Sequence, residues 1–305
     1  MSRAATAEPP VPARRALRHR LAAVGIDRLV LLAIPAAATI ALLFVYPFLY
    51  GLGLSFQPLD GGGALANYRA FFNDAYQAST IAKTLRLALP AALLNVAVSV
   101  PIAHKMRQPM RFKRLITTAL ILPVTLGTVL VAEGLIRYFG PNGWFNQALL
   151  GLGLIDSPLP LTNNYVGVFA SLVITGFPLA LLIVLGHASG IDPDVEKAAA
   201  TLGASPTQRF WKVTFPLMLP GVSIAFLLAF VAAFAVFPSA VMVGNPSGET
   251  RVISIAAYQA AYEQFDFPMA STIAMVMAAV ELAVIAVILG LRSRLYRGAT
   301  AGGKG

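Results

Sequence analysis

The side chains able to do chemistry here are few, and the densest group lies in one polar insert between two apolar runs. It reads Asp192-Pro-Asp-Val-Glu-Lys-Ala-Ala-Ala-Thr-Leu-Gly-Ala-Ser-Pro-Thr-Gln. What this group offers is charge pairing and helix capping, not bond making. Asp192 can cap a helix with Pro193 at its first position, and Asp194 and Glu196 then sit toward the positive end of the helix dipole. Val195, Ala198, Ala199 and Leu202 recur at i, i+3, i+4 and i+7, which makes one apolar stripe. Asp194, Lys197 and Thr201 take the opposite face. Gly203 stops the helix, because glycine enters the left-handed cap geometry without a Cβ penalty. Ser205, Pro206 and Gln208 carry the spacing of a capping box for a second helix, which runs from Thr207 to Phe215 and meets Pro216. A single capped helix would read as a solvated connector. Two in succession, with Ala198–Ala200, Gly203 and Ala204 at the bend, read as a rigid elbow that a partner can approach closely.

Other chemistry is sparse. The chain has no cysteine, so it can form no disulfide or thiolate metal site. His19, His104 and His187 are far apart and show no metal-ligand spacing. No Gly-x-x-x-x-Gly-Lys-[Ser/Thr] occurs, and the terminal Gly302-Gly-Lys-Gly lacks both the spacing and the hydroxyl. The chain is therefore not expected to be an enzyme: it offers no catalytic residue and no cofactor of its own. Glu281 stands in the middle of an apolar run, where a charge costs about 2.5–3.5 kcal/mol on insertion scales. It is a candidate for a solute pathway, or for a contact with a neighbouring helix. Glu133 and Arg137, four apart, are expected to form a partly buried i,i+4 pair. Arg86 is expected to reach the membrane surface.

The elements that must position these residues are long apolar helices. Of 305 residues 57% are apolar and 12% charged, about half the charged share usual for soluble domains. Six runs suffice to cross a bilayer, at roughly 28–56, 84–104, 115–136, 165–186, 219–243 and 268–291. Lipid forces such segments to be helical, since nothing else there satisfies the backbone. The fold class is all-α, a polytopic membrane protein in contact with lipid.

The net charge of +10 is distributed by loop. Six Lys and Arg precede or open the first run, five lie from Lys105 to Arg114, three from Lys197 to Lys212, and four from Arg292 onward. These eighteen fall on one side and at most five of the 23 on the other, so both termini are expected in the cytoplasm. The bases orient helices; they do not make a nucleic-acid patch. Residues 1–27 are expected to be a disordered cytoplasmic tail, 28–291 the membrane domain with a cytoplasmic loop over 187–218, and 292–305 a second tail. Short helices are expected near Asn67–Asp74, at Trp144-Phe145 and within Arg251–Phe267. Against the outer acids Asp60, Asp74, Asp156, Glu249, Glu263 and Asp266 stand Arg69, Lys83 and Arg251 as exposed bases. That balance makes a mildly acidic mouth suited to a cation.

The insert resembles the "EAA" loop of permeases from bacterial ABC importers. Ala198-Ala199, then Gly203, nine residues, and Val213-Thr-Phe215-Pro216 reproduce its spacing without a gap. One departure is visible: Lys197 falls where the motif has Glu, and Glu196 lies one position earlier. The acidic contact would then come from Glu196, or be missing. Gly151-Leu-Gly-Leu-Ile-Asp-Ser-Pro and Leu202-Gly-Ala-Ser-Pro resemble permeases of the polyamine, iron(III), sulfate and aminoethylphosphonate group. The resemblance implies a type I importer permease fold in the bacterial inner membrane. It implies an elbow docked on a cytoplasmic subunit that binds ATP and Mg, a second permease subunit, and an extracytoplasmic solute-binding protein. An ion-gradient-driven transporter or channel is the alternative, and one central Glu offers little for coupling ions.

Overall fold

The computed structural model describes residues 28–59, 61–108 and 110–296. The expected tail over 1–27 and the last residues, 297–305, lie outside them, as does Asp60. Among the described residues the chain is helical and has no strand, and six helices are long and apolar enough to cross a membrane. It divides into two units, up to Leu54 and from Ser55 onward. The first is a single rod: α1 (Arg28–Ile40), a π segment Ala41–Val45, and α2 (Tyr46–Ser55). Pro35 lies inside α1, and the Pro35 carbonyl accepts from Thr39 Oγ1 at 2.8 Å.

The second unit holds α3 (Ala66–Asn73), α4 (Ala75–Met106), α5 (Lys113–Phe139), α6 (Trp144–Gly151), α7 (Tyr165–Ser189), α8 (Pro193–Thr201) and α9 (Pro206–Arg209). A π segment, Phe210–Thr214, joins α9 to α10 (Phe215–Phe234), followed by α11 (Pro238–Met242), α12 (Ile253–Tyr258) and α13 (Phe267–Tyr296). The short helices expected near residue 67, at Trp144 and after Arg251 are α3, α6 and α12. At its centre α4, α7 and α10 pack against one another. Their contact faces are rich in Ala (Ala88, Ala91, Ala92, Ala103, Ala180, Ala225, Ala229), all fully or nearly fully buried. Lipid gives no hydrophobic drive for helix association, so small residues that bring backbones close supply the packing instead. Two buried clusters result. One around Phe71, Phe230, Phe234 and Ile253 lies toward the α3 and α12 side, and the other around Val100, Leu181, Val184 and Met218 toward the elbow.

The fifth span differs from its expected bounds of 219–243. Helical structure starts at Pro206 and runs unbroken to Phe234, and residues 235–237 separate it from α11. The second elbow helix is therefore the first turn of the span, not a free-standing element. Pro216 was expected to end it, but the π segment just before widens the turn, with Phe215 N–H bonding Phe210 O, and Pro216 then occupies the tolerant first turn of α10. α4 continues through Pro90 and Pro101. In α5 the backbone leaves helical geometry at Gly127 (φ 74°, ψ 167°), four residues after Pro123.

Candidate functional site

The elbow is built as its residue types dictate. Asp192 Oδ1 accepts from Asp194 N–H at 2.9 Å, and Pro193 opens α8. At the other end Gly203 N–H bonds Ala200 O and Ala204 N–H bonds Ala199 O, the paired bonds of a Schellman cap, with Gly203 at φ +81°. Ser205 Oγ accepts from Gln208 N–H while Gln208 Oε1 accepts from Ser205 N–H, closing the capping box. The bend is thus hydrogen-bonded on both sides and stiff.

Glu196 and Lys197 diverge. Lys197 is exposed and its Nζ donates to Asp194 Oδ1 at 2.8 Å, which holds the ammonium above its ordinary pKa. Such an exposed pair adds little stability. Glu196 turns the other way. Its Oε2 pairs with Arg107 Nη2 at the end of α4, its Oε1 accepts from Thr214 Oγ1, and His104 Nδ1 is 4.0 Å from Oε1. The Arg107 side chain is only 7% exposed and that of Glu196 17%. One carboxylate thus ties the elbow helix to the end of the second span and the start of the fifth. The acidic contact was expected from Glu196 or not at all; here the Glu196 carboxylate is taken up by an internal tie. The outward face is the apolar stripe: Val195 is 42% and Leu202 88% exposed, Ala198 is exposed and Ala199 half-buried. The sequence did not point to Arg107, His104 or Thr214 as partners. Thr214 falls at the unspecified position of the Val213-Thr-Phe215 segment, so no motif signal marks it.

The remaining candidates scatter. Glu281 is half-buried in α13, with no ion pair among the described residues, and is remote in sequence from the elbow. Glu133 and Arg137 do pair, at 2.8 Å; Glu133 is half-buried, as expected, while the Arg137 side chain is 79% exposed. α5 contributes few buried residues, Ala132 and Leu135 among them. His187 ends α7, where Gly221 of α10 passes its ring so closely that any Cβ there would collide.

The far-side bases require a correction. Arg251 is not exposed but 2% accessible, and burial lowers its pKa. Its Nε donates to Gln259 Oε1 at 2.8 Å and Nη2 to Gln77 Oε1 at 3.2 Å, and the guanidinium lies 4.1 Å from the Tyr76 ring centroid. Neutral acceptors and a π face replace a carboxylate. Lys83 is half-buried and bonds Gly248 O at 3.0 Å. Between α5, α7 and α10 lies a cavity of about 230 Å³, lined by Thr128, Thr175, Gly176, Ala233 and Phe237 among others, with no charged side chain.

Six apolar helices and a stiff polar elbow define a membrane-embedded transport subunit, and the comparisons agree. The chain belongs to the family of binding-protein-dependent transport system inner membrane components, whose model matches residues 95–297, more than half the chain. It is 26% identical over 221 residues to the spermidine/putrescine transport system permease protein PotB of Haemophilus influenzae, covering 68% of this chain and 77% of that protein. A probable sulfate transport system permease protein cysT of Prototheca wickerhamii is 31% identical over 207 residues, covering 67% and 79%. The trehalose transport system permease protein SugA of Mycobacterium tuberculosis is 26% identical over 281 residues, covering 90% of each. In fold the chain resembles a permease-containing structure of a bacterial alginate ABC transporter in complex with a pentasaccharide-bound periplasmic protein. That match has TM-score 0.78 and 18% identity, over 91% of this chain and 98% of that one. The protein is thus a multi-pass membrane component of a binding-protein-dependent ABC importer.

Proposed function

We propose that this chain is one of two permease halves through which an ATP-driven importer passes a small polar, polyamine-like solute. In this reading both termini face the cytoplasm, and the elbow seats in a groove of an ATP-binding subunit that holds ATP and Mg. The second half is a homologue or another copy of the chain, and an extracytoplasmic binding protein delivers the solute. The observation that carries the coupling role is the Glu196–Arg107–Thr214 tie. A push on α8 reaches two spans at once because the elbow is fastened to both and its bend cannot flex freely. The exposed stripe of Val195, Ala198 and Leu202 is the surface that an ATPase groove would cover. Closure of the ATPase pair would then swing helix groups as rigid bodies and alternate access to the pathway.

A cationic cargo is supported by the far side, where Asp74, Asp156, Glu249 and Glu263 are exposed while Arg251 and Lys83 have withdrawn into the protein. Glu281, in the last span, is the candidate pathway carboxylate. The test exploits the absence of cysteine. Leu202→Cys and Ala198→Cys should crosslink to the ATPase subunit in membranes, whereas Val129→Cys, on an exposed face of α5, should not. Uptake should cease on ATP depletion with ion gradients intact. Uptake that persists, or elbow cysteines that capture no ATP-binding protein, would refute the reading.

A further inference from the structure

Beneath the elbow lies a cavity of about 300 Å³, bounded by the ends of α4 and α7 and by α8 and α9. Arg107, Arg209, Glu196 and Gln108 line it, and all but Arg107 also line a smaller cavity beside it, together with His104. The Arg107 side chain is more than nine-tenths buried. Glu196 engages only its Nη2; Nε and Nη1 are buried and have no hydrogen-bond partner among the described residues. Arg209 Nε, also buried, and His104 Nδ1 likewise lack one. Leaving buried N–H groups of a charged side chain unbonded is costly, so a native structure that gathers several around one space implies an acceptor there.

The charge balance gives the same sign. Two guanidinium groups share the cavity with one carboxylate, and both oxygens of that carboxylate are already engaged by Arg107 and Thr214. Lys197, which also borders the cavity, is neutralised by Asp194. One positive charge is left over. Guanidinium forks match planar or tetrahedral oxyanions bidentately, which water does only weakly.

We propose that this cavity is a binding site for a phosphate-type oxyanion held between Arg107 and Arg209 at the joint of the elbow. The bound anion would complete the unmade bonds of Arg107 and Arg209 and brace α9 against α4 beside the Glu196 tie. The phosphate can come from solution or from an anionic lipid headgroup, because the joint lies where the apolar part of α4 ends. This assignment does not rest on the transport reading; it concerns binding alone.

The experiment uses the full-length chain in nanodiscs of phosphatidylcholine, with the unfolding midpoint followed as inorganic phosphate replaces chloride at fixed ionic strength. A ligand specific for the folded state raises the midpoint by mass action. The wild type should respond, and Arg209→Gln should need about tenfold more phosphate for the same rise, the equivalent of one charged hydrogen-bonding partner. Lys212→Gln, an exposed neighbour, should behave as wild type. Discs containing phosphatidylglycerol separate the sources. A midpoint already raised and indifferent to phosphate assigns the site to the headgroup, and a retained response assigns it to the free anion. A wild type indifferent to phosphate in phosphatidylcholine discs overturns the proposal, as does an equal response in Arg209→Gln. If Arg209→Gln does not fold, Arg209→Lys replaces it: a severalfold loss supports the site, and an unchanged response overturns it.

Discussion

Glu196 on the elbow helix is ion-paired with Arg107 at the end of α4, and the same carboxylate accepts from Thr214 where the fifth span begins. Three elements thus meet on one side chain, so the elbow is part of the helix bundle and not an appendage to it.

Removing either member of that pair should be costly. Glu196→Ala leaves Arg107 buried and unpaired, a loss of about 3 kcal/mol on the scale of broken buried pairs. Glu196→Ala/Arg107→Met should regain most of it, and Lys197→Ala, which touches an exposed pair only, should cost under about 1 kcal/mol. Unfolding midpoints of the four proteins in detergent check this; a midpoint for Glu196→Ala equal to wild type would contradict the tie.

Gly203 sits at φ +81°, so a β-branched residue there forces the Schellman cap apart. Gly203→Val should cost about 1–2 kcal/mol locally, the penalty of left-handed backbone for an L residue. The protein should still insert in the membrane, and ATP hydrolysis by the assembled transporter should continue while uptake falls. Normal solute-stimulated uptake would remove the elbow from the coupling path.

Within the bundle, Asn95 Nδ2 of α4 donates to Leu172 O of α7 at 3.2 Å, and its amide fills the space beside Gly176. A methyl group at Gly176 would collide with that amide. Gly176→Ala should therefore destabilise by about 1–3 kcal/mol, the usual cost of overpacking. Asn95→Ala should relieve part of it in the double variant, and additive losses in thermal unfolding would show that the two do not touch.

Arg251 holds Gln77, Gln259 and Tyr76 together on the far side. Arg251→Lys keeps the charge but cannot reach both amides, and should cost about 1–3 kcal/mol, the price of buried acceptors left unpaired. Arg251→Ala should cost no less. A variant as stable as wild type would mean that this segment is held by other contacts.

Glu281→Gln keeps volume and removes charge. If Glu281 meets a cationic solute, uptake of polyamine should show an apparent KM raised about tenfold, about 1.4 kcal/mol of lost attraction. The unfolding midpoint should stay close to wild type. An unchanged KM would take Glu281 out of the pathway.

The sequence by itself determined the six spans and the elbow's ends. Apolar length, capping residues and the Gly203 stop are local signals, set by lipid and by backbone hydrogen bonding within a few residues. The join between elbow and fifth span was misread because a π segment absorbed Pro216, and that is decided by how the chain packs around it. Only the tertiary structure decided which of Glu196 and Lys197 faces inward, that Arg107 receives the carboxylate, and that Arg251 is buried. Those outcomes depend on partners distant in the chain, brought together by the packing of α4, α7 and α10, and no spacing along the sequence encodes them.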